Sequence, residues 1–157
     1  MIREVRTHFR KVLSVKPRLT TVLFDDQYYL LWNSIDANDA VLTDQHYYVR
    51  GTTALLDAVG KTIVTVGKRL SETEEPDKPE KVIVVITTDG MENSSYEITY
   101  EKVKELIQHQ QEQYSWEFIF MGANIDAAEE GRSIGIKGEH ASQFKNQKMG
   151  LRRCLIR

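Results

Sequence analysis

The sequence predicts an α/β domain of the Rossmann-like class, in which helices cover both faces of a doubly wound, mostly parallel sheet in three layers. The first observation is an unbroken apolar run at residues 82–86 that is typical of a buried strand. The second is a helical spacing of apolar residues on either side of that run, and the third is another apolar strand at residues 116–121. Strands that alternate with helices in this way form parallel sheets with right-handed crossovers.

The stretch KVIVVITTDGMENSS, residues 81–95, is the centre of this prediction. Its apolar residues are mostly branched at Cβ, which suits a pleated backbone. Because the run does not alternate with polar residues, it predicts an interior strand that is buried on both faces. The strand ends in Thr88, Asp89 and Gly90, and ligands of open α/β sheets bind at the carboxyl ends of strands.

The other elements follow from spacing and turn residues. Residues 2–13 form an amphipathic pattern that Pro17 ends, residues 19–24 and 28–32 form a hairpin, and residues 33–50 are polar with a short extended piece at 47–49. A second helix is expected to begin at residues 51–53 because apolar positions from Leu55 to Leu70 share one face. Further along, the pattern predicts a helix at residues 100–114, the strand at 116–121 and a short helix at 127–134.

Length and composition favour one domain. The chain has 157 residues and a formal charge of -2, which does not indicate nucleic-acid binding, although the tail at residues 145–157 is basic. Its single cysteine, Cys154, cannot form an internal disulfide, and no apolar run is long enough to span a bilayer. We therefore expect a cytoplasmic protein that does not associate with membranes.

Two residues could carry chemistry at the carboxyl edge of the sheet. Thr53 lies at a helix start and Asp89 at a strand end. A hydroxyl, a carboxylate and water are the oxygen ligands that Mg²⁺ prefers. The simpler alternative is that Thr53 only caps its helix and Asp89 only shapes the turn before Gly90.

Both segments resemble a known family. The stretch GTTALLDA at residues 51–58, followed by ITTDGMEN at 86–93, is similar to the second and third metal-binding segments of von Willebrand factor type A domains. The later FIFMGAN, residues 118–124, resembles the strand and loop that follow in bacterial and phage members. The resemblance covers residues 1–144 in matching order.

The resemblance implies a doubly wound sheet with a metal-ion-dependent adhesion site. Thr53 and Asp89 would be metal ligands, with Thr52 replacing Thr53 if the register is shifted by one. Asp57, Asn93 and Asn124 are further candidates for residues that support the metal or line the rim. Asp57 could instead form an exposed ion pair with Lys61, and both asparagines could simply belong to turns.

The chain departs from the family in two respects, and one is that residues 145–157 are short and basic where the family would have a closing amphipathic helix. The other concerns the first strand. Family members begin with a central strand that ends in Asp-x-Ser-x-Ser, and this sequence contains no such motif. Its absence would leave unpaired edges on the strands at residues 19–24 and 82–86. A truncated product, a late start codon, a rearranged sheet or a strand borrowed from a partner would each account for this. With few protein ligands left, we expect weak binding of Mg²⁺ or Mn²⁺, or none.

The resemblance implies a non-enzymatic protein-interaction module. Its partner would be a protein that offers a carboxylate, or an AAA-type ATPase, and the exposed strand edges would allow a homo-oligomer. The alternative is a metal-dependent phosphohydrolase-like enzyme that uses Asp89. The sequence shows neither a Gly-rich phosphate loop nor a Ser-His-Asp arrangement in a recognisable context, which favours the interaction module.

Overall fold

The computed structural model describes residues 17–43, 46, 51–123 and 125–144. Four predictions lie outside these residues: the helix at 2–13, the extended piece at 47–49, Asn124 and the basic tail at 145–157. None of the helices in the described ranges is both long and apolar enough to cross a membrane.

Five strands and three helices make up the described part of the chain, with two short 3-10 turns between them. The strands are β1 (Arg18–Phe24), β2 (Tyr28–Asp36), β3 (Ile83–Thr88), β4 (Glu117–Ala123) and β5 (Ala141–Phe144). The helices are α1 (Leu55–Ser71), α2 (Tyr100–Tyr114) and α3 (Ala127–Ser133), and the 3-10 turns are Glu75–Asp77 and Gly138–His140.

The predicted hairpin is confirmed. Strands β1 and β2 pair antiparallel, with Phe24 opposite Tyr28. The backbone N–H of Gln27 donates to Asp25 Oδ1 at 2.7 Å, so an aspartate shapes the turn as predicted. Strand β2 is longer than predicted and continues to Asp36.

A second sheet contains three parallel strands in the order β3-β4-β5. The α/β class and the parallel pairing of β3 with β4 are therefore confirmed. Strand β5 was not predicted, because its sequence ASQF contains no run of apolar or β-branched residues. Its position is fixed by pairing, since Phe120 of β4 lies opposite Ala141.

The core lies between this sheet and the helices. Helix α1 buries the predicted face, with Leu55 and Ile63 almost fully inaccessible, and α2 buries Val103 and Ile107. The other buried apolar residues of this cluster are Leu56, Val59, Val66, Ile86, Trp116, Phe118, Phe120, Ala127, Ile134 and Ile136. Helical periodicity was thus a reliable guide to the inner face of each long helix.

The prediction that β3 is an interior strand buried on both faces is wrong for the described residues. Ile86 is buried, but Ile83 is 40% exposed and Val85 is 36% exposed. Among the described strands β3 pairs only with β4, and β1 pairs only with β2. An apolar run therefore marked a strand correctly without revealing that the strand lies at the edge of its sheet.

Candidate functional site

The candidate site is the rim where the loop after β3 meets the start of α1. A Cβ atom added to Gly90 would lie 2.7 Å from Thr53 Oγ1, so these two residues are in close contact. The backbone N–H of Thr53 donates to Asn93 Oδ1 at 2.9 Å, and the N–H of Asn93 donates to the Thr53 carbonyl at 3.1 Å. The structure thus brings together the two segments that contain Thr53, Asp89 and Asn93.

Helix α1 has no side-chain cap of its own. It begins at Leu55 with Ala54 at the N-cap, so the predicted start at residues 51–53 and the interpretation of Thr53 as a cap are both wrong. The free amides of the first turn are satisfied from elsewhere in the chain. The N–H of Leu56 donates to Glu92 Oε2 at 2.9 Å, and that of Asp57 donates to Ser95 Oγ at 3.1 Å.

Glu92 joins the loop to the helix. Its Oε1 accepts from the N–H of Ser94 at 2.9 Å and of Ser95 at 2.7 Å, while Oε2 also accepts from the Ser95 hydroxyl at 2.7 Å. Partial burial acts to raise the pKa of Glu92. The hydrogen bonds from Ser95, Leu56 and Ser94 outweigh burial and hold the pKa below its usual value of 4.5.

Asp57 holds the far end of the same loop. It is 4% exposed, and its carboxylate accepts from the backbone N–H groups of Tyr96 at 3.2 Å, Glu97 at 3.1 Å and Ile98 at 2.8 Å. The alternative of an exposed pair with Lys61 is wrong, because Lys61 bonds Glu97 at 2.7 Å. The hydrogen bond to Glu97 is also the main cause of the raised pKa of Lys61.

Asp89 and Thr52 are exposed at the rim. Thr88, not Asp89, forms the hydrogen bonds of the turn: its hydroxyl donates to the Gly90 carbonyl at 2.9 Å and accepts from the Gly90 N–H at 3.2 Å. The alternative role of Asp89 as a turn-shaping residue therefore has no hydrogen bond to support it. Within the described ranges, the Asp89 carboxylate takes part in no hydrogen bond or ion pair and is available to a ligand.

The rim offers few side-chain oxygen donors to a cation. Thr53 supplies a hydroxyl and Asp89 a carboxylate, whereas Glu92 and Asp57 already accept several N–H groups. In the part of the chain that the structure describes, no three His, Cys, Asp or Glu residues form a group that could hold a metal. Because Mg²⁺ takes six oxygen ligands, this donor set fits only a cation that keeps most of its water.

A partly buried polar pair joins α2 to α3. The Tyr100 hydroxyl donates to Glu130 Oε1 at 3.1 Å, and Glu130 is 7% exposed. Burial, followed by the charge and hydrogen bond of Glu130, raises the pKa of Tyr100 to about 12. The pair is therefore a neutral phenol bonded to a carboxyl group at neutral pH, which suits a structural contact.

The sequence prediction missed Glu92 and Ser95. Some of its contacts are local, because Glu92 accepts from the backbone N–H groups of Ser94 and Ser95, two and three positions further on. The contacts that matter more reach Leu56 and Asp57, which are 36 and 38 residues away in the chain. No spacing rule in the sequence could have identified those contacts.

No family model, curated protein or solved structure gave a significant match to this chain.

Proposed function

We propose that this chain is a non-enzymatic protein-interaction module of the von Willebrand factor type A kind, which binds its partner through the rim. The observation that carries the proposal is the reciprocal hydrogen bonding of Thr53 and Asn93 beside the exposed carboxylate of Asp89. A rim that is already held in place loses little conformational freedom when a partner binds. The exposed carboxylate of Asp89 then offers a polar contact to the partner.

The order of elements supports the finer assignment of a doubly wound, three-layer fold. The hairpin, α1, β3, α2 and β4 follow one another as the resemblance implies. The described strands fall into two separate sheets, β1-β2 and β3-β4-β5. In the family, the Asp-x-Ser-x-Ser strand would lie between the strands that correspond to β1 and β3.

The proposal includes only a weak cation site. Thr53 and Asp89 would hold Mg²⁺ or Mn²⁺, which would supply a bridge to a carboxylate of the partner. Partner classes that fit are a protein with an exposed acidic side chain and an AAA-type ATPase. Asp57 and Glu92 would act only by holding the loop, because their oxygens are bonded to backbone amides.

The cation part of the proposal is tested by calorimetric titration of Mg²⁺ and Mn²⁺. We expect a dissociation constant of about 1 mM or weaker, because two protein donors leave most of the shell to water. Asp89→Ala should abolish the remaining heat, and Asp39→Ala, at another exposed aspartate, should not. Micromolar binding that disappears in Asp89→Ala would overturn the prediction of a weak site.

The interaction part is tested by proximity labelling in the native host. Wild type and Asp39→Ala should enrich the same proteins, and Asp89→Ala should lose them. Identical enrichment by all three forms would contradict binding through the rim. Magnesium-dependent hydrolysis of p-nitrophenyl phosphate that is lost in Asp89→Asn would instead favour an enzyme.

A further inference from the structure

A β-bulge interrupts the β1-β2 hairpin beside the last turn of α1. The register of the two strands shifts between Leu19 and Thr21. At this point Asn33 and Ser34 of β2 lie opposite the single residue Thr20 of β1. Ser34 adopts the left-handed conformation, φ 59°, which is unfavourable for a residue that has a Cβ atom. Bulges of this kind redirect side chains and occur often next to binding sites.

The bulge brings together two guanidinium groups from different elements. Arg18 lies at the start of β1, and its Nε–H donates to Ser34 Oγ at 3.3 Å. Arg69 lies in the last turn of α1, and its Nη1 donates to Thr20 Oγ1 at 3.2 Å and to Asn33 Oδ1. The N–H of Ser34 donates to the same Thr20 oxygen at 3.1 Å, so hydrogen bonds connect the two arginines. Arg18, Thr20, Ser34 and Arg69 form the arginine cluster.

No carboxylate among the described residues forms an ion pair with either guanidinium group. Asp36 lies opposite Arg18 in the hairpin, but its Oδ1 accepts from the backbone N–H and the side-chain amide of Asn38, each at 2.8 Å. The oxygens that accept from Arg18 and Arg69 are all neutral. Partial burial and the neighbouring charge of Arg18 lower the pKa of Arg69. Two like charges held together without a counter-charge favour the binding of an anion.

The remaining donors of the arginine cluster suit an anion with several oxygen atoms. Arg18 uses only Nε and Arg69 only Nη1 in the bonds described above, so both keep N–H groups for a ligand. The hydroxyls of Thr20 and Ser34 act as acceptors in these bonds, so each can donate its own proton to a ligand. A phosphate monoester carries a charge of about −1.5 to −2 at pH 7 and three strong acceptor oxygens. It therefore matches two guanidinium groups better than a singly charged carboxylate does.

We propose that the arginine cluster binds the phosphate group of a ligand, with Arg18 and Arg69 as the charged donors. Guanidinium groups form paired hydrogen bonds with phosphate oxygens, which add geometric selectivity to the attraction of charges. The left-handed conformation of Ser34 is explained by this role, because Ser34 holds Arg18 through its hydroxyl and Thr20 through its N–H. The site does not depend on the function proposed for the rim. Arg69 lies roughly 20 Å along the helix axis from Leu55, where α1 begins.

Calorimetric titration of the full chain at constant ionic strength tests the proposal. The probes are inorganic phosphate, the N-acetyl amide of phosphoserine, and acetate. We expect both phosphates to bind and acetate not to bind. Arg69→Lys keeps the charge but lacks the planar fork, so it should raise the dissociation constant for phosphate about tenfold. Arg132→Gln, which removes an exposed positive charge on α3, is the matched control and should leave the constant unchanged.

Ser34→Gly separates binding from folding. Glycine adopts the left-handed conformation readily, so circular dichroism should show a folded variant. The variant lacks the hydroxyl that holds Arg18, so the dissociation constant for phosphate should rise at least about threefold.

The two phosphate probes also identify the source of the group. Binding of both would support a phosphate ester as the ligand, and binding of inorganic phosphate alone would support the free ion. Binding of neither probe, equal binding of acetate and phosphate, or phosphate binding unaffected by both Arg69→Lys and Ser34→Gly would overturn the proposal.

Discussion

At the scale of single residues, the close contact between Gly90 and Thr53 explains why the rim needs a glycine after Asp89. A Cβ atom at position 90 would lie 2.7 Å from Thr53 Oγ1 but 3.8 Å from Thr53 Cβ, so the hydroxyl oxygen alone creates the clash. The hydroxyl that is proposed to bind a cation thus also excludes any larger residue at position 90. Thr53 Oγ1 is therefore both the proposed cation ligand and the atom that limits the size of residue 90.

A double-mutant cycle tests this contact. Gly90→Ala should lower the free energy of unfolding by about 1–3 kcal/mol, because it forces two groups together. Thr53→Ala removes the obstructing oxygen, so Gly90→Ala should cost much less in that background, and the two effects should not add. Urea denaturation of the four forms measures the coupling. Gly51→Ala is the control, since a Cβ atom there would meet nothing within 4 Å.

Additive effects of Gly90→Ala and Thr53→Ala would contradict the contact.

The residues of the rim differ in how far the sequence alone could predict their position. The sequence predicted that Thr53 and Asp89 lie near one another, because one precedes a helix and the other follows a strand, where parallel topology brings side chains together. Glu92 and Ser95 were missed because their bonds to the start of α1 depend on the path of a loop.

At the scale of elements, the sequence predicted the bounds of a helix best where the residues that cap both of its ends are close in the chain. Helix α2 has the predicted bounds because Thr99 accepts from the N–H of Lys102 at its start, and Ser115 adopts the left-handed conformation, φ 54°, at its end. The start of α1 was predicted too early because its acceptors come from the loop after β3. Strand β5 lacks an apolar pattern; it pairs with β4, and its Ala141 packs against the core.

Two glycines in α1 provide a matched test of helix packing. At Gly67 an added Cβ atom would have ordinary contact with Gln110 Nε2, 3.7 Å away, so Gly67→Ala should raise the free energy of unfolding by roughly 0.5–1 kcal/mol through helix propensity. At Gly60 it would lie 2.5 Å from Ile98 Cδ1. Gly60→Ala should therefore destabilise the protein despite the same gain in propensity.

A variant of Ile98 distinguishes a steric effect of Gly60→Ala from an effect on the backbone. Ile98→Val removes the Cδ1 atom, so Gly60→Ala should be less destabilising in the Ile98→Val background than in wild type. Urea denaturation again provides the measurement. If Gly60→Ala stabilises the protein as much as Gly67→Ala does, helix α1 does not pack against Ile98 as described.

At the scale of the whole molecule, long-range polar contacts connect parts that strand pairing leaves separate. The two sheets share no ladder of hydrogen bonds among the described residues. Helix α1 links them, because the N–H of Ala54 donates to the Asp25 carbonyl at 2.6 Å on one side and Glu92 accepts from Leu56 on the other. Resistance of the fold to acid should therefore depend on Glu92.

The sign of that pH dependence follows from the lowered pKa of Glu92 in the folded state. A carboxylate that binds protons more weakly when folded stabilises the fold above its usual pKa, and this contribution disappears as the pH falls from about 4.5 through the lowered value. The free energy of unfolding of wild type should therefore decrease over this range. Glu92→Gln, which cannot ionise, should be less stable at pH 7 and should lose less stability on acidification.

Urea denaturation at pH 7, 5, 4 and 3 measures this difference, with Glu105→Gln, at an exposed glutamate of α2, as the control. The control should follow the wild-type curve closely, since other carboxylates contribute equally to both forms. The effect of Glu92→Gln should be largest at neutral pH and should shrink once the wild-type carboxylate is protonated. Parallel curves for wild type and Glu92→Gln would show that this carboxylate does not link the loop to α1. The two sheets would then not be connected through Glu92.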